Sequence, residues 1–364
     1  MEPVPNILEG FRNPDLAKTL IKAIENHNVD RDVSLMEVCG THTVSIARAG
    51  IKSIIPPNIH LISGPGCPVC VTANVDIDKV IALTKMPDTV IATFGDMTRV
   101  PGSTSSLLKE QAQGADIRIV YSPLDALDVA VESPDKQVIF VGVGFETTTP
   151  LIASTVLRAK SMGLNNFSVF VAHKNMPGAL ETIVNDPQVK VDGLILPGHV
   201  SVIIGTKPYE FLAQKYHIPG VVTGFEPVDI LRGVEMLMCQ ISDGEARIEN
   251  AYARAVDSNG NVAAKEAIAN VFETCDAEWR GIGEIAGSGY RIRDEYKEFD
   301  AWSRFGLEVE PTVEPKGCRC GDVLRGVISP KECPLFRKVC TPENPVGPCM
   351  VSSEGSCAAY YRYY

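Results

Sequence analysis

The chain has 364 residues, a formal net charge of −11, 45% hydrophobic residues and 22% charged residues. That balance is the one of a soluble globular protein. The length predicts about two or three domains, and the negative charge excludes a general attraction to nucleic acid or anionic membrane. No apolar run approaches the ~20 residues that span a bilayer, and the opening "MEPVPNILEGFRNPDLAKTL" lacks the basic-then-apolar order of a signal peptide. A cytoplasmic chain is expected, in which eleven cysteines point to metal or redox chemistry rather than a disulfide framework.

In chain order, residues 1–30 predict a helical segment packing on the C-terminal domain. Eight short, nearly continuous apolar runs follow: "VSLMEVC", "NIHLISG", "DTVIATFG", "DIRIVYS", "QVIFVGVG", "FSVFVAH", "DGLILPG" and "GVVTGFE". Runs of this kind are strands buried on both faces of a parallel sheet. Helical patterns such as "VDIDKVIALTK", "PLIASTVLRAKSMG" and "PVDILRGVEMLMCQI" lie between or after them, which predicts an α/β architecture. Four strands precede the polar stretch "ESPDKQ" and four follow it. Two similar α/β domains around a cleft are therefore expected, 31–130 and 131–244. After Gly244, "ARIENAYARAV" and "VAAKEAIANVFE" predict helices and strong strand signals fade. The rest of 245–364 is Pro-, Gly- and Cys-rich from Pro311, predicting a smaller, mainly helical or irregular domain that needs an external tie.

The unusual polar clusters lie where strands stop: "CGTHT", "GPGCPVC", "FGDMTR", "GFETTTP", "AHKNMP", "PGHVS" and "GFEP". Carboxyl ends of strands are where ligands bind in open α/β sheets. Helix capping explains threonines before a proline, but it has no need of thiol or imidazole. No G-x-G-x-x-G and no P-loop occurs. Cys67 and Cys70 open a helical pattern, where exposed N–H groups and the helix dipole stabilise a thiolate. A reversible dithiol is favoured there over a metal half-site or inert packing. Cys39 and His42 span a strand-to-helix turn, where a soft thiolate could bind iron beside an imidazole that hydrogen bonds or carries a proton. A buried thiol with a satisfied histidine is the plain alternative. His173, His199, Glu146 and Asp96 also end strands, and none is assigned a chemical step.

Six cysteines, Cys318, Cys320, Cys333, Cys340, Cys349 and Cys357, fall within the last segment. Four thiolates suit an iron–sulfur cluster or a structural zinc. The long, irregular spacings and the Cys333–Pro334 pair favour the cluster.

Together, "EVCGTHT", "SGPGCPVCVT", "TFGDMTRVPG", "VGFETTTP", "LPGHVS", "GFEPVDIL" and the C-terminal "CRCGDVLRGVISPKECPLFRKVCTPENPVGPCMVSSEGSCAAYY" resemble the HypD family of [NiFe] hydrogenase maturation factors. The resemblance implies two α/β domains plus a domain holding a [4Fe–4S] cluster. It implies a scaffold for assembling the Fe(CN)2CO group, an iron–sulfur redox maturation factor rather than a conventional turnover enzyme. Cys39 would hold the transient iron, with its cyanide and CO ligands, jointly with a cysteine of the HypC chaperone, and His42 would lie beside it. Cys67 and Cys70 would be the redox pair, and HypE the cyanide donor. Cys333, Cys340 and Cys357 would ligate the cluster together with Cys318 or Cys320, Cys318 being preferred, and Cys349 would be a bystander. The free chain would be a monomer. Where some relatives carry a second histidine after the CGTHT-type motif, this chain has Val44. The rival readings are a cluster-dependent thiol–disulfide oxidoreductase and a zinc-stabilised binding module.

Overall fold

The computed structural model describes residues 10–364. All eight anticipated strands form: β1 (Val33–Glu37), β2 (Ile59–Ser63), β3 (Thr89–Thr93), β4 (Asp116–Ile119), β5 (Gln137–Gly142), β6 (Phe167–Val171), β7 (Gly193–Pro197) and β8 (Gly220–Thr223). Three more follow, β9 (Ile248–Asn250), β10 (Phe272–Trp279) and β11 (Gly283–Ile292). One parallel sheet has the order β2-β1-β7-β8-β9 and a second the order β4-β3-β5-β6, while β10 and β11 form an antiparallel hairpin.

The α/β architecture is as expected, but the strands divide differently from a boundary near residue 130. The chain leaves the first sheet after β2, builds the whole second sheet from Thr89 to Val171, and returns with β7 to β9. Consecutive strands are usually neighbours, but an apolar run does not encode its partner. Here β1 pairs with β7, Leu35 opposite Gly193 and Glu37 opposite Ile195.

Side-chain alternation explains the near-continuous apolar runs. In the first sheet Leu35, Ile195 and Val221 pack on one face, with Ile46 and Leu231. Met36, Leu194 and Val222 pack on the other face with Val323 and Met350 of the cysteine-rich segment. Both faces are covered, so both must be apolar. The second sheet repeats the scheme, Val138, Phe140 and Val169 on one side and Ile91, Ile139 and Phe170 on the other.

Helix α1 (Pro14–Asn26) starts at Asn13, whose side chain accepts from the N–H groups of Asp15 and Leu16, with Pro14 in its first turn. It buries Leu20 and Ile24 against the helix Pro227–Asp243 of the first sheet, and Arg12 pairs with Glu226 at 2.6 Å. The expected packing on the C-terminal domain is thus corrected for residues 10–30; residues 1–9 of that segment lie outside the described residues. The helix expected over 246–256 is also replaced, by the edge strand β9 and a run of turns. The hairpin β10–β11 was not legible as strands, because β10 alternates buried ends with half-exposed and exposed positions.

The cysteine-rich segment has little regular structure, and it shares a core instead of forming its own. Val323, Leu324, Phe336 and Met350 join Met36, Val38 and Val71. No helix among the described residues is long and apolar enough to cross a membrane.

The docking of α1 is testable by denaturant unfolding. Ile24 is 1% exposed and Leu16 is 43% exposed, so Ile24→Ala should cost about 2–4 kcal/mol and Leu16→Ala under about 0.5 kcal/mol. Equal losses would contradict the packing.

Candidate functional site

In the first sheet the strand order reverses between β1 and β7, the place where open α/β sheets form a binding crevice. Cys39 stands there as the extended residue capping helix α2 (Gly40–Arg48). His199 opens the helix after β7, and Phe225 follows β8. The three rings His42, Phe225 and His199 stack, with centroids 4.6 Å and 3.9 Å apart. His42 is fully buried. Its Nε2 donates to the Gly224 carbonyl at 2.9 Å and lies 2.8 Å from the Thr223 hydroxyl. Nδ1 is buried without a partner among the described residues. Burial holds the ring neutral, its pKa lowered to about 4, so Nδ1 keeps a lone pair that can accept a hydrogen bond.

The Cys39 thiol is 8% exposed. Burial and the Glu354 carboxylate push its pKa up to about 11, against the opposing pull of N–H groups at the start of α2. Glu354 accepts a hydrogen bond from Thr41 Oγ1 at 2.7 Å. A Cβ on Gly40 would lie 2.6 Å from Glu354 Cβ, so the cysteine-rich segment touches the backbone of the Cys39 turn. Glu354 carries no motif, and sequence reading missed it. Glu37, also missed, ends β1 as a buried carboxyl that accepts from Ser63 Oγ at 2.7 Å; burial raises its pKa to about 7.

The Gly64–Cys70 loop lies directly against Cys39. Gly40 N–H donates to the Gly66 carbonyl at 3.0 Å, and a Cβ on Gly66 would fall 2.2 Å from Cys39 N. Only glycine allows this approach. Cys67 then caps the short helix α3 (Pro68–Val71), with Pro68 at its first position. Cys67 and Cys70 form a disulfide with Cα atoms 5.2 Å apart, 3% and 0% exposed. Only Cys67 is at the helix start, not both, because helix α4 (Asn74–Thr84) begins afresh after Thr72 and Ala73.

Cys70 Sγ lies 4.0 Å from the Pro348 carbonyl, the residue before Cys349. The Cys349 and Cys320 sulfurs are 2.6 Å apart. These two and Cys318, Cys333, Cys340 and Cys357 line one narrow cavity, whose other walls are apolar side chains such as Leu335 and Phe336. Among the described residues no three His, Cys, Asp or Glu side chains form a group that could hold a single metal ion. The thiols surround a space instead, and an all-thiol donor set of that kind suits the soft iron of a cluster.

The second sheet carries the remaining motifs. Asp96 is exposed in a short turn of helix after β3. Glu146 and His173 are buried after β5 and β6, and neither belongs to the Cys39 stack.

Two predictions follow from this packing. Gly66→Ala should destabilise the fold by about 1–3 kcal/mol through overlap with the Cys39 backbone. Gly95→Ala, whose nearest neighbour would be 3.8 Å away, should leave the denaturation midpoint within experimental scatter. For His173, burial keeps the folded imidazole neutral down to about pH 3, while unfolded imidazoles protonate near 6.5. The unfolded state therefore binds more protons in that window, and stability falls as pH drops through it. Subtracting the His173→Gln curve should reveal this loss between about pH 6.5 and pH 3; a flat difference would contradict it.

Residues 15–364 match the family described as "HypD: Hydrogenase formation hypA family". The chain is 48% identical to the hydrogenase maturation factor HypD of Rhodobacter capsulatus, over 97% of each chain. It is 45% identical to that of Rhizobium leguminosarum bv. viciae, over 98% of this chain and 95% of the relative. With that of Escherichia coli K12 it shares 42%, over 98% of this chain and 97% of the relative. A solved alanine racemase from Clostridium difficile 630 covers 69% of this chain and 60% of its own, at 10% identity and a TM-score of 0.14, and carries no argument. On its near-full-length identity to these maturation factors, the chain belongs to the HypD family.

Proposed function

We propose that this chain is the cytoplasmic scaffold and redox partner on which the Fe(CN)2CO group of a [NiFe] hydrogenase is assembled. The observation that carries the reading is the contact of three cysteine groups. Gly66 lies against the Cys39 backbone, Cys70 meets the Pro348 carbonyl, and Cys349 belongs to the six-thiol cavity. The iron is cargo, held by Cys39 together with a cysteine of a HypC-type chaperone, and a HypE-type partner delivers cyanide. Soft thiolate suits an iron carrying strong-field ligands.

Cys318, Cys333, Cys340 and Cys357 would hold the resident [4Fe–4S] cluster, since the close pairing of Cys320 with Cys349 sets those two apart. A bound cluster supplies single electrons. The chain's own residues do the rest. Opening the Cys67–Cys70 disulfide takes two electrons and two protons and leaves two thiols beside Cys39. The proton released when the Cys39 thiol binds iron leaves to solvent; His42, held neutral and with Nδ1 unpartnered among the described residues, offers a hydrogen-bond acceptor in the same crevice. The adjacency of the Cys320–Cys349 and Cys67–Cys70 pairs also favours a second reading, a cluster-dependent thiol–disulfide oxidoreductase with no iron at Cys39.

Anaerobic purification tests the ligand set. The chain should be brown, with about four iron and four sulfide. Cys357→Ser should lose most of both and Cys349→Ser should keep them; the reverse pattern sinks the assignment. Infrared spectra of the chain co-expressed with its chaperone separate the two functions. Cyanide and CO stretches should be present in the wild type and absent from Cys39→Ala. Full-strength bands in that variant would overturn the Cys39 assignment, and a wild type without the bands would leave the oxidoreductase reading.

A further inference from the structure

Glu146, in the loop after β5, is 1% exposed, and no step above uses it. Its Oε1 accepts the N–H of Met176, the first residue of the helix Met176–Asn185, at 3.0 Å. Oε2 is buried and has no partner among the described residues. A buried acceptor left without a donor costs about 1–3 kcal/mol, more when charged. Burial accordingly lifts the carboxyl pKa to about 7.

Glu146 lines a cleft of about 660 Å³, separate from the six-thiol cavity, with Ile204, Ile268, Phe272 and Tyr290 among its other walls. Two cations stand at the cleft, and both are engaged elsewhere. Lys265 Nζ donates to the Asn259 carbonyl at 2.6 Å. Arg293 Nε donates to the Ala269 carbonyl at 2.7 Å, and its Nη1 is 3.7 Å from Glu273. Among the described residues neither bonds Glu146. Glu146 lines this space, with Oε2 buried and unpaired among the described residues behind walls that are mainly apolar and aromatic.

We propose that this cleft is a second ligand site, for a small organic cation: a guanidinium or primary ammonium on a short apolar stem. The N–H groups pair with Glu146 Oε2, and the stem lies along Ile268 and Phe272. Charge-assisted N–H···O bonds are roughly twice as strong as neutral ones, and aromatic faces such as Phe272 and Tyr290 attract a cation further.

Calorimetric titration of the full chain with n-butylguanidinium, n-butylammonium and neutral pentanamide tests the site. At least one cation should bind about tenfold tighter than the amide. Glu146→Gln, which keeps an acceptor for the Met176 N–H, should abolish that preference. Ile268→Trp, which fills the cleft without altering the carboxyl, should weaken cation binding by about tenfold as well. Equal binding of cation and amide overturns the proposal, as does a preference that survives Glu146→Gln. Should Glu146→Gln fail to fold, the amide comparison and Ile268→Trp decide. Tighter binding of acetyl-Gly-Arg-Gly-amide than of butylguanidinium overturns the small-molecule assignment in favour of a basic side chain on a partner. None of these readouts involves iron, so they stand or fall apart from the maturation reading.

Discussion

The parallel pairing of β1 with β7 is the constraint on which the rest of the site depends. Glu37 lies opposite Ile195 in that ladder, so the turns after the two strands, carrying Cys39 and Gly198–His199, open side by side. A chain of simple consecutive strands would leave them in separate lobes. The crevice therefore costs the fold a long excursion: a whole second sheet is built between β2 and β7. The excursion in turn supplies the helix Met176–Asn185, whose Met176, Leu180 and Ile183 join the core shared with the cysteine-rich segment.

Close approach of backbone, rather than long side chains, couples the parts of the site. Gly66 against Cys39 and Gly40 against Glu354 leave no room for a Cβ. Such contacts transmit displacement because packed interiors resist compression. A change of oxidation state at Cys67–Cys70 acts one residue from the Gly66 contact, and a change in the segment around Cys349 and Glu354 acts on the first turn of α2. The stack of His42, Phe225 and His199 buttresses that turn from the other side. Burial keeps both the Cys39 thiol and the His42 imidazole neutral.

Much of this was legible in the residues. Continuous β-branched runs gave away all eight strands of the α/β part, and thiols at strand ends marked the crevice. Strand partnership was not legible, because Leu35 or Val221 would suit any buried parallel sheet. The hairpin β10–β11 was missed for the opposite reason: its half-exposed faces carry Glu273, Cys275 and Glu284, which dilute the apolar signal. Glu354 was invisible because its importance comes from a contact across 313 residues. Cys349, read as a bystander, is buried at 1% exposure beside Cys320; spacing alone could not distinguish a ligand from a paired thiol.

The central claim is that Cys39 holds an iron distinct from the cluster. ⁵⁷Fe Mössbauer spectroscopy of the chain isolated anaerobically with its chaperone tests it most directly. A low-spin ferrous doublet amounting to about one iron in five should accompany the cluster signal. It should vanish in Cys39→Ala while the cluster signal stays. A spectrum holding cluster iron alone, or a doublet that persists without Cys39, would contradict the claim.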